Sequence, residues 1–497
     1  MSTHDHDQGH GQSHAHPRAG GGDTGSGGAD GGNGDGSAGR PNPAGKTPRS
    51  VAGPVFAQPQ PTADPTTFVV KHPSDDAVYK EIDELNKEGK IHPLPFPAPR
   101  GGTEPVLTLE QVFGGNATAI SNITANGQIV FHAVGDCGNV KGPRTQNEVS
   151  DKMVSDFNET TAMEVPQFFL MLGDVIYNFG EAKYYYDQFY EPYRDYPGPI
   201  LACAGNHDGM VSPEAHVASL EAFERNFCAE TFEISPDAGT LMRTAQIQPG
   251  VFFTFDAPFV RILVVYSNML EDPGVIQDAT IGQSQIDFLE AALTRVKAEA
   301  YGGALLFAHH HPPYTAVTGG DTHGWSVQML ADMDAVCEKV GVWPHAVLSG
   351  HVHNYQRFTR TRPDGTLIPY LACGNGGHNV QKLTRKGDAA LRVPQIIQAA
   401  SPGKDQVTFE AYDDLNYGYL RLIVDPKQLR VEYHAASDGP DAKAPDDSVT
   451  IELGSRQMTH YTPNDLGRPA QSRLINDDRT GGRAGPRPGY DERHRQR

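Results

Sequence analysis

Five short apolar runs in this sequence each end in a turn whose side chains could hold a metal ion. Residues 129–134 lead into G-D-C-G-N with Asp136, 168–172 into G-D-V-I-Y with Asp174 and Tyr177, and 199–203 into G-N-H-D with Asn206 and His207. Residues 304–307 lead into A-H-H-H-P-P-Y with His309, His310 and His311, and 345–348 into G-H-V-H-N-Y with His351 and His353. Each turn alone has a plainer reading. An Asp after a strand often caps a turn or a helix, and G-N-H-D suits a polar turn. H-V-H could set two imidazoles on one face of a strand. Three consecutive histidines cannot all point one way, so at least one of them is structural.

Together the five say more. In open sheets, ligands gather at the carboxyl ends of the strands, so five successive strand ends would converge on one spot. The donors are oxygen and imidazole, without thiolates, which suits two metals such as Fe, Zn or Mn. A close pair of cations needs a bridging carboxylate to blunt its repulsion. It also lowers the pKa of a shared water enough to supply hydroxide near neutral pH. That is machinery for attack on a phosphorus ester.

The elements that must position these turns are also readable. The apolar runs, joined by a further one at 261–266, alternate with helical stretches at 215–227, 283–300 and 326–340. Continuous apolar strands alternating with amphipathic helices predict buried sheets covered by helices. The later runs at 369–373, 419–424 and 429–434 follow one another more directly and read as antiparallel.

The order G-D-x-G, G-D-x-x-Y, G-N-H-[DE], H-x-P, G-H-x-H resembles the calcineurin-like metallophosphoesterase superfamily, and within it the purple acid phosphatases. The resemblance covers about 126–454. Most binuclear members open with D-x-H, whose His ligates the first metal. Here Gly138 takes that position, and Tyr177 stands as the compensating donor. The resemblance implies an α/β fold, a two-sheet β-sandwich flanked by helices. It implies that Asp136, Tyr177 and His353 hold a first metal, Fe(III), and that Asn206, His310 and His351 hold a second, Fe, Zn or Mn. Asp174 would bridge them. His310 is chosen among its neighbours because the family's ligand stands two residues before a proline, here Pro312. His207 would bind phosphate or protonate the leaving group, and His323 would face the substrate. C-G-N-G-G-H at 373–378 and N-Y-G-Y-L at 416–420 read as fold rather than chemistry.

The implied activity is hydrolysis of a phosphate monoester on a phosphorylated small molecule by a metal-bound hydroxide. A diesterase or nucleotidase of the same superfamily is the alternative. A non-catalytic metal-binding protein is the remote one, since His4, His6, His10, His14 and His16 crowd the start of the chain.

Composition sets the outer bounds. The chain has 497 residues, with Lys+Arg 41 against Asp+Glu 61 and a net charge of −20, which disfavours nucleic acid and anionic membranes as partners. No run of 18 apolar residues occurs; the nearest, 251–270, is interrupted by Asp256 and Arg261. The five cysteines include no C-x-x-C pair, so neither a disulfide framework nor a zinc ribbon is expected. The expected organisation is a disordered His/Gly-rich segment at 1–66, an extension wrapping the core at 67–125, the metallophosphoesterase domain at 126–454 and a disordered Arg-rich tail at 455–497. A helix is expected at 74–87, followed by an extended Pro-rich stretch at 91–105. The start of the chain lacks a readable signal peptide, which suggests the cytoplasm, whereas family analogy suggests secretion. The oligomeric state is left open.

Overall fold

The structure, a computed structural model, describes residues 47–57, 73–158, 161–316, 323–383, 391–400 and 405–461. The five N-terminal histidines and residues 462–497 lie outside them. Two mixed sheets carry the fold. In the seven-stranded sheet, β1 (Ile129–Val134), β2 (Phe169–Leu172) and β3 (Ile200–Cys203) run parallel. Gly418–Val424 pairs antiparallel with β1, and Gln428–Ala435, Asp447–Glu452 and Met458–Tyr461 continue the sheet antiparallel. In the nine-stranded sheet, β4 (Val260–Val264), β5 (Ala304–Ala308) and β6 (Ala346–Ser349) run parallel near the centre. Phe253–Ala257 flanks β4 as a hairpin, and Leu367–Cys373 lies parallel beside β6.

The strands form in short, nearly continuous apolar runs, rich in β-branched and aromatic residues in β1 and β4 and mostly Leu, Met and Ala in β2, β3, β5 and β6. All six labelled strands are buried along their whole length, as expected of strands covered on both faces. The two sheets face each other across one apolar core. Phe168 meets Phe255 edge to face at 5.0 Å, and Tyr355 stacks on Tyr433 at 4.0 Å. The charges that interrupt 251–270 are neighbours in a hairpin, where Arg261 Nε donates to Asp256 Oδ1 at 2.6 Å.

Helices cover the outside. α1 (Pro73–Lys87) precedes both sheets. α2 (Ser284–Ala298) buries Gln285, Phe288, Leu289, Ala292, Leu293 and Val296, an i, i+3, i+4 stripe. α3 (Val327–Val340) buries the equivalent stripe from Met329 to Val340 and ends at Gly341, whose φ of 77° few other residues would accept. The helix expected over 215–227 is shorter, Glu221–Phe227, because Leu220 before it sits in the left-handed region at φ 66°.

Chain segments expected to lie outside the domain also pack on it. Arg49–Ser50 pairs with Glu233–Ile234, and Val51 rests on the core. Met458–Tyr461 forms the last strand of its sheet, with Met458 against the core. The stretch after α1 has no regular structure until Val106 and is tied to the body by polar contacts. Leu94 and Asn268 exchange two hydrogen bonds of 3.0 Å, and Arg100 donates to the carbonyls of Cys228, Ala229 and Gln248. Among the described residues no helix is long and apolar enough to cross a membrane.

Candidate metal centre

β1, β2, β3, β5 and β6 all deliver their following turns to one place. Asp136 and Asp174 stand just past β1 and β2, Asn206 past β3, His310 past β5, and His351 and His353 past β6. The turns are sharp enough to put Asp136, Asp174 and His351 at φ 57°, 51° and 68°. Non-glycine residues in that region are strained, and strain of this kind collects where side chains must be aimed. Gly205 leaves room that a side chain would take from Asp174.

Two groupings result. In the first, Tyr177 Oη donates to Asp136 Oδ1 at 2.9 Å, and His353 Nε2 lies 3.2 Å from that oxygen and 3.3 Å from Tyr177 Oη. In the second, His310 Nε2 lies 3.3 Å from Asp174 Oδ2, and His351 Nδ1 lies 3.3 Å from His310 Nε2. Donor atoms of Asp136, Asp174 and His310 fall within 4.8 Å of one another, as do those of Asp272, His323 and His351.

The ring orientations are fixed from behind. His310 Nδ1 donates to Leu172 O at 2.8 Å, which leaves Nε2 as the inward donor. His353 Nδ1 is held by Asn379 Oδ1. Backing hydrogen bonds of this kind set the tautomer of a metal-binding imidazole. The carboxylates are held by main-chain donors: His351 N–H to Asp136 Oδ2 at 2.7 Å and His207 N–H to Asp174 Oδ1 at 2.9 Å. Of the three consecutive histidines, His310 is the one whose donor atom groups with those of Asp136 and Asp174. His309 Nδ1 bonds His311 O, and His311 sits between Ser267 Oγ and Leu270 O. Burial pushes these two imidazoles down to about 4 and about 3, so both stay neutral.

The centre is built for positive charge. Burial opposes ionisation of Asp174. His310, then His207, outweigh that and hold it below the usual carboxylate range. Burial likewise opposes a charged His310, yet Asp174 and Asp136 bring it up to about 10. Burial, then Asp136 and Asp174, push the Tyr177 phenol well above its ordinary value. Burial, then the neighbouring imidazoles, hold His351 well below its ordinary value, so its ring stays neutral. Asn206 points the same way: it is fully buried, and neither Oδ1 nor Nδ2 has a hydrogen-bond partner. Buried amides are seldom left so. Orphaned amide, inward imidazoles and buried carboxylates together fit a pair of cations.

Gly138 explains itself in three dimensions. A Cβ there would stand 2.5 Å from Gln188 Oε1, 2.7 Å from Ile176 Cα and 2.9 Å from Val175 O. This backbone has no room for a histidine at 138. Gln188 uses that space to accept from Tyr177 N–H at 2.8 Å.

His207 and His323 both reach the cavity over these groups, which has a volume of about 230 Å³. His207 Nδ1 donates to Asn178 O at 2.7 Å, and its Nε2 lies 3.9 Å from Asp174 and 3.8 Å from Glu271. His323 Nδ1 lies 3.0 Å from His351 Nε2. The structure also brings in residues the sequence reading passed over. His378, read there as part of the fold, stacks on Tyr177 at 3.7 Å and bonds Gly138 O. Glu271 and Asp272 come from the loop after β4, the one strand whose turn showed no motif. Asp272 lies 3.7 Å from His351 Nε2, and burial pushes its carboxyl up to about 8. Tyr79 comes from α1.

Residues 129–355 match the model of the family described as calcineurin-like phosphoesterase. No curated protein matches the sequence. Three solved structures are similar at low identity. A purple acid phosphatase from yellow lupin (Lupinus luteus) seeds is 16% identical with a TM-score of 0.43, covering 70% of this chain and 57% of its own. This chain thus spans little more than half of that phosphatase. GAP50, the anchor in the inner membrane complex of Plasmodium, is 13% identical with a TM-score of 0.42, covering 66% of this chain and 88% of its own. PhoD is 12% identical with a TM-score of 0.40, covering 68% and 72%.

Proposed function

The chain carries a calcineurin-like metallophosphoesterase domain, and from that premise we propose that it hydrolyses phosphate monoesters of small molecules in the manner of a purple acid phosphatase. Asp136, Tyr177 and His353 would hold a first metal ion, Asn206, His310 and His351 a second, and Asp174 would touch both. A phenolate oxygen is a hard anionic donor, so Fe(III) suits the first position, with Fe, Zn or Mn at the second. When bound, such a pair lowers the pKa of a shared water and neutralises phosphoryl oxygens.

The remaining steps belong to the chain's own side chains. His207 is clamped by its bond to Asn178 O, so its Nε2 faces the cavity, where it would hand a proton to the leaving oxygen. His323 and Gln381, whose polar atoms meet at 3.0 Å, line the same cavity and would orient the substrate there. The buried floor keeps bulk water from the donor atoms, which strengthens every charge interaction there.

The observation that carries this reading is the convergence of five strand ends on one buried set of oxygen and imidazole donors, with Asn206 left unpartnered beside Asp174. The test compares p-nitrophenyl phosphate with bis(p-nitrophenyl) phosphate, before and after chelation. The reading predicts faster cleavage of the monoester and loss of it on chelation. Preferential cleavage of the bis ester would make the protein a diesterase. Cleavage of neither, with most bound metal lost on removal of residues 1–20, would make it a metal-binding protein.

A further inference from the structure

α1 lies outside the span that matches the family, yet it forms one wall of the metal-centre cavity. Tyr79, Asp83 and Lys87, one helical turn apart, line it together with Asp174, His207, Glu271 and the histidines past β6. Tyr79 Oη donates to Glu271 Oε1 at 2.8 Å, and its ring lies 5.2 Å from that of His207 and 6.2 Å from Phe179. The helix is held over the site. Behind it, the Leu94–Asn268 bonds and the three carbonyls that bind Arg100 fix the chain to the body.

The wall has a defined size and charge. At about 230 Å³ the cavity is smaller than the ~300–1,000 Å³ that usually encloses a drug-sized ligand. Among the described residues lining it, Lys87 is the one lysine or arginine, and its Nζ is taken up by Asp83 at 2.8 Å and Glu84 at 3.5 Å. The other charged groups on that wall, Asp83 and Glu271, are carboxylates. A second anionic group on a substrate would meet them, with no unpaired lysine or arginine among the described lining residues.

We propose that α1 is the specificity element of this site: Tyr79 and the Asp83–Lys87 pair admit compact esters carrying one phosphate, and turn away those with a bulky alcohol or a second anion. The proposal rests on the phosphoesterase reading above. Tyr79 limits size through its ring; Asp83 limits charge by occupying Lys87.

The experiment measures kcat/KM for p-nitrophenyl phosphate, adenosine monophosphate and 2-phosphoglycolate in wild type, Tyr79→Ala, Tyr79→Phe and Asp83→Asn. Tyr79→Ala should raise adenosine monophosphate relative to p-nitrophenyl phosphate about tenfold or more, the scale of a pocket contact. Tyr79→Phe, which keeps the ring and loses only the bond to Glu271, should keep the wild-type ratio. Asp83→Asn should raise 2-phosphoglycolate relative to p-nitrophenyl phosphate by a similar factor. Unmoved ratios in both Tyr79→Ala and Asp83→Asn would overturn the proposal, as would a Tyr79→Phe shift equal to that of Tyr79→Ala. Should the metal-loaded wild type turn over none of the three, the phosphoesterase reading fails. The same ratios, read as affinities by calorimetry, then decide the role of α1 separately.

Discussion

Asn206→Leu separates a metal ligand from a scaffold residue, because only a ligand makes the cost of the exchange depend on metal. Both side-chain atoms of Asn206 are buried without a partner. Leaving a buried amide unmatched costs about 1–3 kcal/mol. Leucine has the same branching and no polar atom to strand, but its methyls are bulkier than the amide, and overpacking a buried site costs about 1–3 kcal/mol. In protein stripped of metal the two terms offset, so the variant should lie within ~1 kcal/mol of the wild type. With metal present the wild type should pull ahead, since it gains stability as RT ln(1 + [M]/Kd) from the ion that Asn206 would help hold. Urea denaturation in chelator and in excess metal reads both differences, and elemental analysis should show close to one metal equivalent lost. A variant destabilised by ~2 kcal/mol or more under both conditions, with its metal content intact, would refute the reasoning. It would make Asn206 part of the scaffold.

The other predictions concern charge, space and proton transfer. Asp174→Ala should abolish phosphatase activity and lower metal content, since it removes the carboxylate proposed to touch both metals; a fully metallated, active variant would contradict that. His207→Ala should lower kcat by about 10²–10⁴-fold while metal stoichiometry stays as in wild type, measured by steady-state kinetics beside elemental analysis. Gly138→Ala forces a Cβ against Ile176 and Gln188, so it should destabilise by roughly 1–3 kcal/mol in chemical denaturation and displace the adjoining Tyr177. Away from the centre, Asp156 is held well below the usual carboxylate range. Burial opposes its charge, but His132, Lys443 and Tyr419 together outweigh the burial. A depressed carboxyl stabilises the fold above its unfolded pKa of about 3.9, and that stability is lost as pH falls below it. Asp156→Asn should flatten the fall in stability of chelator-treated protein between about pH 4 and pH 2.

The strand ends were legible because chain continuity places them. An apolar strand followed at once by Asp136, Asp174, Asn206 or His351 needs no tertiary information beyond the sheet that gathers the carboxyl ends. His310 was legible through Pro312, and the structure adds the reason its neighbours differ: Ser267 and Leu270 from the loop after β4 occupy His311. Tyr79, Glu271 and Asp272 were not legible. They arrive from a helix and a long loop whose positions depend on contacts such as Leu94 with Asn268, and no local pattern encodes those. His378 was assigned to the fold because C-G-N-G-G-H looks like a turn; its stacking on Tyr177 follows from the pairing of Leu367–Cys373 beside β6. The crowding at Gly138 was likewise invisible, since it depends on Gln188, which is distant in sequence.

The central claim is a two-metal centre in which Tyr177 supplies a phenolate. Elemental analysis of the purified protein together with its visible spectrum tests it most directly. The account predicts two metal equivalents per chain, at least one of them iron, and a broad visible band that Tyr177→Phe bleaches without loss of fold. An iron-loaded wild type without that band, or a Tyr177→Phe variant that keeps it, would contradict the account.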